Sequence, residues 1–584
     1  MAITLRSVTG SALSYEQLDT NLSSYFYSAS LSGSSILFYT TGSTGILGIP
    51  TPTSMSISVT TTSPWTTLTG GTLSRNSNVQ VTGSLSQGSG STSSGIYSHA
   101  EGAYTTATGS YSHAEGQGSI ASGTGSHAEG NTTQARGVYS HAEGNTTQAN
   151  GEGSHTEGYY VQAIAPYSHA EGSGTFSYGT GSHTEGNGAS TNGAYSHAEG
   201  ASTFANGYAS HAEGQGTTAT GSYSHAEGYG SIASGSWSHA EADSVAIGDY
   251  SHAEGRQTVA SGLYAHSEGF GSTASGNSAH AEGYLTVASS AYAHSEGQQT
   301  SATGGAAHAE GYNTLASADY SHAEGTSTIA SGQSSHAEGG STNAIAESSH
   351  AEGVQTNAQG IGTHAEGYQT YAIGNYSHAE GISTITYGAN SHAEGANSFT
   401  VGTGAHAEGF YAKAIGDYSH AEGYYAIASA SYSHAEGNQT IASGSYSHAE
   451  GGETRAIGDY SHAEGQETIA SGAYSHAEGY QTIALGQRQH VTGQYNFVSP
   501  VQSAFIVGNG IDDGDNRSNL IYAAENAVEI TGSLNIDNVI KLKPVTNFPN
   551  GEAGMLVASA SYGKTNLYVY DGSDWKWLVT GSIA

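Results

Sequence analysis

A 14-residue unit that repeats from His99 to His476 constrains this chain more than any other feature. The unit occurs in 28 copies, each with a Glu two residues after its His, and His490 adds a degenerate copy. One slip interrupts the register, between His239 and His252, where one residue and the turn glycine are missing. A strict period with small residues at fixed offsets is typical of a solenoid, which grows by stacking similar units.

Each unit contains two short extended runs separated by glycine-centred corners, where we expect the glycines to supply positive φ angles. Side chains alternate between the two faces of an extended run. In the unit around His113, the small face consists of Ser112, Ala114, Ser119, Ala121 and Gly123, and the opposite face of Tyr111, His113 and Glu115. A face of small residues fits the inside of a thin roll. Coils stacked about 4.8 Å apart would then form a shaft on the order of 130 Å long.

The composition excludes several classes of function. The formal net charge is −36 with only 12 Lys and Arg residues, so the chain lacks the basic patches that bind nucleic acid or anionic membranes. No membrane-length apolar run is present, and no cysteine is available for disulfides or thiolate metal sites. The first residues lack the apolar core of a signal peptide. We therefore expect neither nucleic-acid binding nor membrane insertion, and no export through a signal peptide.

The repeat resembles the head repeat of YadA-like trimeric autotransporter adhesins. The matching positions are Ser112, Ala114, Gly116, Ser119, Ala121 and Gly123. The resemblance implies a mainly β fold, an elongated left-handed parallel β-roll of 14-residue coils that assembles as a homotrimer. His113 stands where the family has Val and Glu115 where it has Ile, and in the family these two positions pack toward the threefold axis. The resemblance therefore implies a polar trimer interior.

The repeated His-x-Glu pair is the candidate site, and the resemblance makes it a ladder at the trimer interface. Representative members are His99, Glu101, His113, Glu115, His127, Glu129, His141, Glu143, His252, Glu254, His476 and Glu478. In the first interpretation the ladder is structural, and imidazoles donate hydrogen bonds to carboxylates of neighbouring chains. In the second, three histidines on the axis bind a transition metal, although ions in every layer would repel one another. The third is catalysis, which needs one tuned site rather than dozens of identical ones.

We favour the structural ladder, and expect no catalytic residue, cofactor or metal. If the ladder is buried, unpaired carboxylates in successive layers would be unfavourable, so His and Glu should pair. An imidazole in an ion pair has a raised pKa. Pairing therefore predicts stabilisation of the fold that is complete below about pH 6.5 and decreases as the pH rises through the histidine pKa of the folded protein.

Tyrosines precede the Ser-His pair in alternate units of the first half of the repeat. Tyr111, Tyr139, Tyr167, Tyr195 and Tyr223 alternate with Gly125, Gly153, Gly181 and Ala209. A large ring over a small neighbour in the adjacent coil is a packing solution, which we favour. The alternative is an exposed aromatic ladder that stacks on sugars.

The first part of the chain predicts an attachment region. Residues 1–36 form a helical attachment segment in this interpretation, because Ser14 and Gln17 have capping-box spacing and precede Leu18, Leu22, Tyr25 and Phe26 on one helical face. Residues 13–22 resemble the N-terminal segment of phage tail-fibre and virion structural proteins. Residues 37–95 are predicted to be an irregular β collar, and residues 96–490 the β-roll shaft.

The last part of the chain predicts a cap and a tip. Residues 491–536 are expected to cap the roll, since residues 503–510 resemble the closing segment of such rolls in phage fibres. Residues 537–584 predict a small β module with a hairpin turn at Asp571-Gly572 before Trp575 and Trp577. This module also resembles the terminal module of phage fibre proteins.

Together these resemblances imply a non-enzymatic structural fibre of a virion, such as a phage tail fibre, that projects a trimeric shaft for host attachment. The expected partners are two further copies of the chain, a virion attachment protein at the N-terminus, and a host-surface receptor, expected to be a glycan. The alternative is a bacterial cell-surface trimeric adhesin. A glycan-degrading fibre would need a groove with paired carboxylates, which the uniform repeat does not suggest.

Overall fold

The computed structural model of the protein describes residues 26–32, 35–40, 54–58, 65–68, 72–75, 83–525, 527–536, 556–561 and 564–578. The chain divides into two compact units, Met1–Ala412 and Lys413–Ala584, called here unit 1 and unit 2. No helix occurs among the described residues, and so none there is suited to crossing a membrane. The predicted helical segment, residues 1–36, overlaps the described residues at 26–32 and 35–36, which lie in strands rather than in a helix, and the rest of it lies outside the described residues.

Unit 1 begins with antiparallel strands. Phe26–Ser32, Ser35–Thr40 and Ser54–Ser58 form a three-stranded sheet, and Trp65–Leu68 pairs with Thr72–Arg75. Parallel stacking then starts at Leu85–Gln87, which pairs with the first repeat strand, and Thr92–Ser93 pairs with Thr106–Ala107. The roll therefore extends upstream of residue 96, into the segment assigned to the collar.

The repeat folds into the predicted coils, one per unit of sequence. Each coil has a long strand of five residues that begins at the repeat His and a short strand of two residues that begins seven residues after that His. In unit 1 the long strands run from His99–Ala103 to His406–Phe410, and the short ones from Thr92–Ser93 to Phe399–Thr400. The slip shortens two long strands to His225–Glu227 and His239–Glu241, and the next short strand is Val245–Ala246.

Successive long strands pair in parallel and in register, so that His pairs with His and Glu with Glu. The register survives the slip, because His239 still pairs with His252. The short strands stack in the same way, with Ile120 opposite Gln134. Each coil therefore presents the same residue types at the same place as its neighbours.

The interior of the roll consists of the small residues that the alternation predicts. Ala114 and Ala121 have no exposed surface, and Ser112 and Ser119 are buried with them. The Ser112 hydroxyl donates a hydrogen bond to the carbonyl of Gly109 at 2.6 Å, which satisfies it in the interior. Alanine buries little apolar area, so the coils are held mainly by backbone hydrogen bonds between them and by close packing of this thin core.

Two glycine positions per coil are required for different reasons. Gly116 has a φ of 103°, and a Cβ atom there would lie 2.1 Å from the carbonyl oxygen of Gly130. The residue three positions after the repeat His is Gly in every coil except the slipped one, which has Ala242. Gly123 lacks a positive φ, and is required only because its Cβ would lie 1.8 Å from the Gly137 oxygen. That offset also accepts Ala165, so the requirement is weaker there.

The corners also contain non-glycine residues with positive φ, which the sequence analysis did not predict. Tyr111 has a φ of 60° and Thr132 a φ of 60°, and their equivalents recur along the roll. This left-handed conformation costs a non-glycine residue about 1–2 kcal/mol. It persists because the Tyr111 N–H donates to the carbonyl of Ile96 at 2.8 Å, a bond between coils that recurs at the same corner.

Unit 2 contains coils of the same design followed by closing strands. Its long strands run from His420–Tyr424 to His490–Gln494, and its short strands from Lys413–Ala414 to Ile483–Ala484. His490–Gln494 pairs in parallel with Phe505–Asn509. That strand pairs antiparallel with Asn519–Ala524, which pairs with Ala527–Ile530. The change from parallel to antiparallel pairing ends the stack in the predicted cap segment.

The C-terminal part of unit 2 is a small antiparallel sheet. Its strands are Leu556–Ser561, Lys564–Tyr570 and Trp575–Trp577. The Asp571 carboxylate accepts hydrogen bonds from the backbone N–H groups of Ser573 and Asp574 at 2.9 and 2.8 Å. These bonds lower the pKa of Asp571 to about 2 and hold the turn that the sequence predicts at this position.

Candidate functional site

The repeat histidines form columns of stacked imidazole rings. In unit 1, for example, the ring centroids of His113 and His127 lie 4.8 Å apart with an interplanar angle of 5°. In unit 2 those of His434 and His448 lie 4.5 Å apart, with an angle of 1°. Parallel in-register pairing causes this stacking, because it places identical residues one strand spacing apart. We call the column of repeat His and Glu side chains in each unit the His–Glu stripe.

The His–Glu stripe lies on the face opposite the small core residues and is partly exposed. The side chains of His99 and Glu101 are 33% and 43% exposed, and those of His476 and Glu478 are 31% and 39% exposed. The alternation within each long strand causes this, because the intervening Ala points inward. Within each unit the stripe is therefore a continuous polar surface.

Within each coil the structure brings His and Glu close without a hydrogen bond. The Nε2–Oε2 distance is 3.7 Å for His99–Glu101, 4.0 Å for His113–Glu115, His127–Glu129 and His252–Glu254, and 3.9 Å for His476–Glu478. His141 and Glu143 occupy the same register, but these two described residues form no ion pair within 4.0 Å. The Nε2 atoms of these histidines are buried without a hydrogen-bond partner. Five of the six predicted pairs thus lie within 4.0 Å, but the Nε2 atoms of their histidines have no hydrogen-bond partner within the chain.

Some carboxylates also reach the histidine of the adjacent coil. Glu464 lies 3.7 Å from His462 Nε2 through one oxygen and 3.9 Å from His476 Nε2 through the other. Glu227 bridges His225 and His239 in the same way, at 3.7 and 3.9 Å. The sequence suggested pairing between chains, and these bridges between coils of one chain were not predicted. The 14-residue period was the available signal, since it places the next His one layer away.

The electrostatics of the stripe differ from the ion-pair prediction. Burial lowers the pKa of His127, and the neighbouring imidazoles of His141 and His113 lower it further, while Glu129 acts in the opposite direction. The pKa of His169 falls to about 4 for the same first cause, burial, and the imidazoles on either side. In a single chain the histidine pKa values that shift are therefore lowered, opposite to the direction that ion pairing predicts. Stacked rings repel each other's charge, and the carboxylates do not compensate.

A second ladder lies at the corner just before each long strand. The ring of Tyr139 covers Gly125, where a Cβ atom would lie 2.8 Å from the Tyr139 Cδ1, and Tyr167 covers Gly153 in the same way at 3.1 Å. This confirms the predicted packing of a ring over a small neighbour. Tyr139 is nevertheless 69% exposed, so the ring is also a surface feature. The two interpretations of the tyrosines are compatible.

Unit 2 contains a continuous version of this ladder that the sequence analysis missed. Tyr418, Tyr432, Tyr446, Tyr460 and Tyr474 stack in succession, with centroid separations of 5.2, 4.7, 4.8 and 4.8 Å. The Arg488 guanidinium lies 5.8 Å from the centroid of the last ring. The signal was visible in the sequence, since the residue two before His is Tyr in five consecutive units from Tyr418 onward.

Comparison with known proteins is consistent with this architecture. Segments of the chain match the family model described as the YadA head domain repeat, at residues 114–133, 198–224, 226–244, 241–265 and 463–488. Each matched segment lies within the coils that carry the His–Glu stripe. No curated protein shows significant sequence similarity to the chain. The described coils are thus an all-β parallel solenoid with a β-roll similar to the YadA head repeat.

Proposed function

We propose that this chain is the subunit of a homotrimeric adhesive fibre in which the His–Glu stripes of three chains face a common axis. One observation carries the proposal: the stripe is a continuous polar face that remains partly exposed, with Glu101, for example, 43% exposed. Two further chains would cover this face and supply hydrogen-bond partners to it. The matches to the YadA head repeat support the trimeric state.

The chemistry of the stripe suits contacts between chains. A neutral imidazole has one donor and one acceptor, whereas a carboxylate only accepts. Three carboxylates gathered in each layer would repel one another without donors between them. Histidines that are neutral at pH 7, because burial lowers their pKa, can supply those donors without adding positive charge. The trimer contacts we propose are hydrogen bonds from imidazole to carboxylate between chains.

We place this fibre on a virion. Residues 1–36 would bind a virion attachment protein, and the outer surface would bind a glycan on the host. Support comes from the resemblance of residues 13–22, 503–510 and 537–584 to segments of phage fibres. Exposed rings such as Tyr139 provide apolar faces with a polar tip, which suit contacts with sugars. In this proposal the role of the chain is mechanical and adhesive rather than catalytic.

A second candidate is a trimeric adhesin on a bacterial cell surface, which the matches to the YadA head repeat favour. Immunogold labelling with antibodies against the repeat distinguishes the two locations. Label on virion appendages supports the virion fibre. Label on uninfected bacterial cells supports the adhesin and rejects the virion assignment.

The oligomeric state is tested by light scattering on the purified chain. We expect a mass three times the 59.2 kDa of one chain. His308→Lys, His322→Lys and His336→Lys together place three added charges in the stripe and should dissociate the trimer. A matched control adds the same charges to the fifth residue of the same strands, with Tyr312→Lys, Thr326→Lys and Gly340→Lys, and should remain trimeric. A monomeric native chain would reject the trimer.

Glycan binding is tested separately on the trimer. Incubation with host-surface glycans should give a bound complex with glycans of unchanged length. Release of shorter glycans would contradict the non-catalytic role, and the absence of any binding would reject the glycan as receptor.

A further inference from the structure

We propose that the inner edge of the His–Glu stripe binds divalent transition-metal ions of the zinc type, with one ion for every two coils. The candidate ligands are the Nε2 atoms of two consecutive repeat histidines and the carboxylate oxygens of their two glutamates. This site lies within a single chain. It therefore does not require the trimer or the adhesive role proposed above.

The clearest set of ligands is in unit 2. His462 Nε2 lies 3.7 Å from Glu464, Glu464 lies 3.9 Å from His476 Nε2, and His476 Nε2 lies 3.9 Å from Glu478. The two imidazole rings stack with centroids 4.7 Å apart. Two nitrogen and two oxygen atoms thus form one connected cluster contributed by two consecutive coils.

The spacing of these atoms indicates a metal rather than a hydrogen bond. Nε2–Oε separations of 3.7 to 3.9 Å are too long for a hydrogen bond. Tetrahedral zinc with bonds of about 2.1 Å separates its ligand atoms by about 3.4 Å. The gap between imidazole and carboxylate is therefore close to one edge of a zinc coordination polyhedron. The two imidazole rings, whose centroids lie 4.7 Å apart, must tilt toward each other to complete it.

A second observation points to a missing ligand for the histidines. The Nε2 atoms of His462 and His476 are inaccessible to water and have no hydrogen-bond partner. Buried polar atoms in native proteins normally have a partner, and an unsatisfied one costs stability. A bound cation would satisfy the lone pair of each Nε2. The glutamates are partly exposed, so they can move aside to admit the ion.

The same cluster recurs in unit 1. Glu227 lies within 4.0 Å of both His225 and His239. In the group of His169, Glu171 and His183, one ligand atom from each residue lies within 4.8 Å of the others. The recurrence follows from the in-register stacking of identical units, so a site built by two coils is repeated by the next two.

Charge sets the expected stoichiometry. Two glutamates neutralise one divalent cation, whereas an ion in every coil would leave a positive charge for each layer and place like charges one strand spacing apart. Of the 28 His-x-Glu units, 23 lie in unit 1 and five in unit 2, so one ion for every two coils within a unit predicts about thirteen ions. Imidazole nitrogen favours zinc, copper and nickel over magnesium and calcium, which prefer sites made entirely of oxygen.

The experiment measures zinc bound by the full-length chain. The protein is treated with a chelator, dialysed, and titrated with zinc ion alone in a calorimeter at pH 7.5, and bound zinc is counted by mass spectrometry. We expect about thirteen ions per chain, and a zinc X-ray absorption spectrum with the outer-shell scattering typical of imidazole ligands. Fewer than one ion per chain, equal binding of magnesium, or a spectrum without imidazole would overturn the proposal.

Two variants test which residues bind the metal. In the first, the ten repeat histidines from His266 to His392 are changed to Asn, and about five ions should be lost, since each ion needs two coils. In the second, the fifth residue of the same ten strands, from Phe270 to Ala396, is changed to Asn, and the zinc count should not change. Equal counts for both folded variants would reject the histidine ligands. If the first variant does not fold, the absorption spectrum of the native protein decides. Light scattering with and without zinc separates this result from the trimer, because metal binding in a monomer would reject only the trimer.

Discussion

Two tyrosine corners, one from each unit, show that the same backbone conformation can present either an open ring face or a stacked ring. In unit 1 the ring of Tyr139 covers Gly125 and remains 69% exposed. In unit 2 the ring of Tyr446 lies between those of Tyr432 and Tyr460, at 4.7 and 4.8 Å, and is 49% exposed. Both tyrosines have a φ near 60°, namely 57° for Tyr139 and 59° for Tyr446. The backbone is thus the same, and only the residue in the next coil decides whether a ring face is open or stacked.

This difference also separates two possible roles. A ring next to glycine exposes a face to a ligand, whereas a ring inside a continuous stack exposes mainly its edge and hydroxyl. Sugars contact the faces of aromatic rings, so isolated tyrosines such as Tyr139 suit glycan contacts better. The continuous stack of unit 2 suits mutual stabilisation of the coils, since each stacked pair contributes about 1 kcal/mol.

The largest expected effect is the dependence of folding stability on pH. It should be the same in the two units, because both carry the His–Glu stripe. Burial and neighbouring imidazoles lower the folded pKa of His211 in unit 1 and of His448 in unit 2. A histidine pKa that is lower in the folded state favours the neutral imidazole there. The contribution of these histidines to folding stability is therefore complete above the unfolded-state pKa of about 6.5. It is lost as the pH falls through their folded-state pKa values. We expect the melting temperature to fall steadily from pH 6.5 to pH 4 and to be nearly constant from pH 7 to 8.

Circular dichroism melts over this range provide the measurement. Many histidines titrate together, so the total effect should exceed that of any single substitution. Greater stability at pH 5 than at pH 7.5 would show that ion pairing dominates instead, as the sequence alone suggested.

The second-largest expected effect comes from substitutions that disrupt the backbone conformation found in the coils of both units. Gly144→Ala in unit 1 and Gly437→Ala in unit 2 each add a Cβ at a φ near 110°, 2.1 Å from the carbonyl of the next coil. We expect each to cost about 3 kcal/mol, because a strained φ and a backbone clash add together. Local hydrogen exchange in the affected coil measures the loss.

Matched controls use glycines at the fifth strand position. The nearest atom to a Cβ at Gly340 is 3.8 Å away, as is that at Gly452, and neither has a positive φ. Gly340→Ala and Gly452→Ala should therefore leave exchange nearly unchanged. Equal exchange in the Gly144→Ala variant and its control would contradict the proposed reason for that glycine.

The smallest expected effect is the loss of tyrosine ring contacts, which distinguishes the two corners directly. Tyr446→Ser removes two ring contacts in unit 2, whereas Tyr139→Ser removes one contact with a glycine in unit 1. Serine already occupies this corner at Ser334 with a φ of 56°, so the backbone should not change. We expect Tyr446→Ser to cost about 1–2 kcal/mol more than Tyr139→Ser.

Exchange of the amides at residues 446 and 139 measures this difference. The two N–H groups donate to the carbonyls of Ser431 and Thr124 at 3.0 and 2.8 Å, so they report on the same bond between coils. Equal losses at the two sites would show that stacking of the rings contributes nothing beyond contact with the backbone.

Much of the fold could be predicted because the repeat is strict. The period predicted one coil per unit, and the alternation correctly placed Ser112 and Ala114 inside and His113 outside. The predicted turn at Asp571 also formed, since an Asp side chain can accept hydrogen bonds from its own turn. Such features depend on neighbours in sequence or on the period itself. The boundaries were less accurate, since the parallel pairing begins at Leu85, outside the repeat.

The candidate site was predicted in its members but not in its energetics. The sequence identifies which residues share a column, yet the sign of a pKa shift depends on distances and burial. His127 and Glu129 lie 4.0 Å apart, too far for a hydrogen bond, whereas the imidazoles of His113 and His127 stack at 4.8 Å. Burial and repulsion between imidazoles therefore outweigh the attraction of the carboxylates. The balance of these contributions to the histidine pKa cannot be read from the sequence.

By itself the sequence determined a stack of coils with a core of Ala and Ser and an outward column of His and Glu, because a period of 14 and alternation along a strand are properties of the chain alone. The tertiary structure decided the rest. It placed Glu464 between His462 and His476, gave Tyr111 a left-handed backbone, and left the Nε2 atoms of His462 and His476 without a hydrogen-bond partner. These features arise only when one coil is packed on the next, since they depend on distances between residues 14 apart.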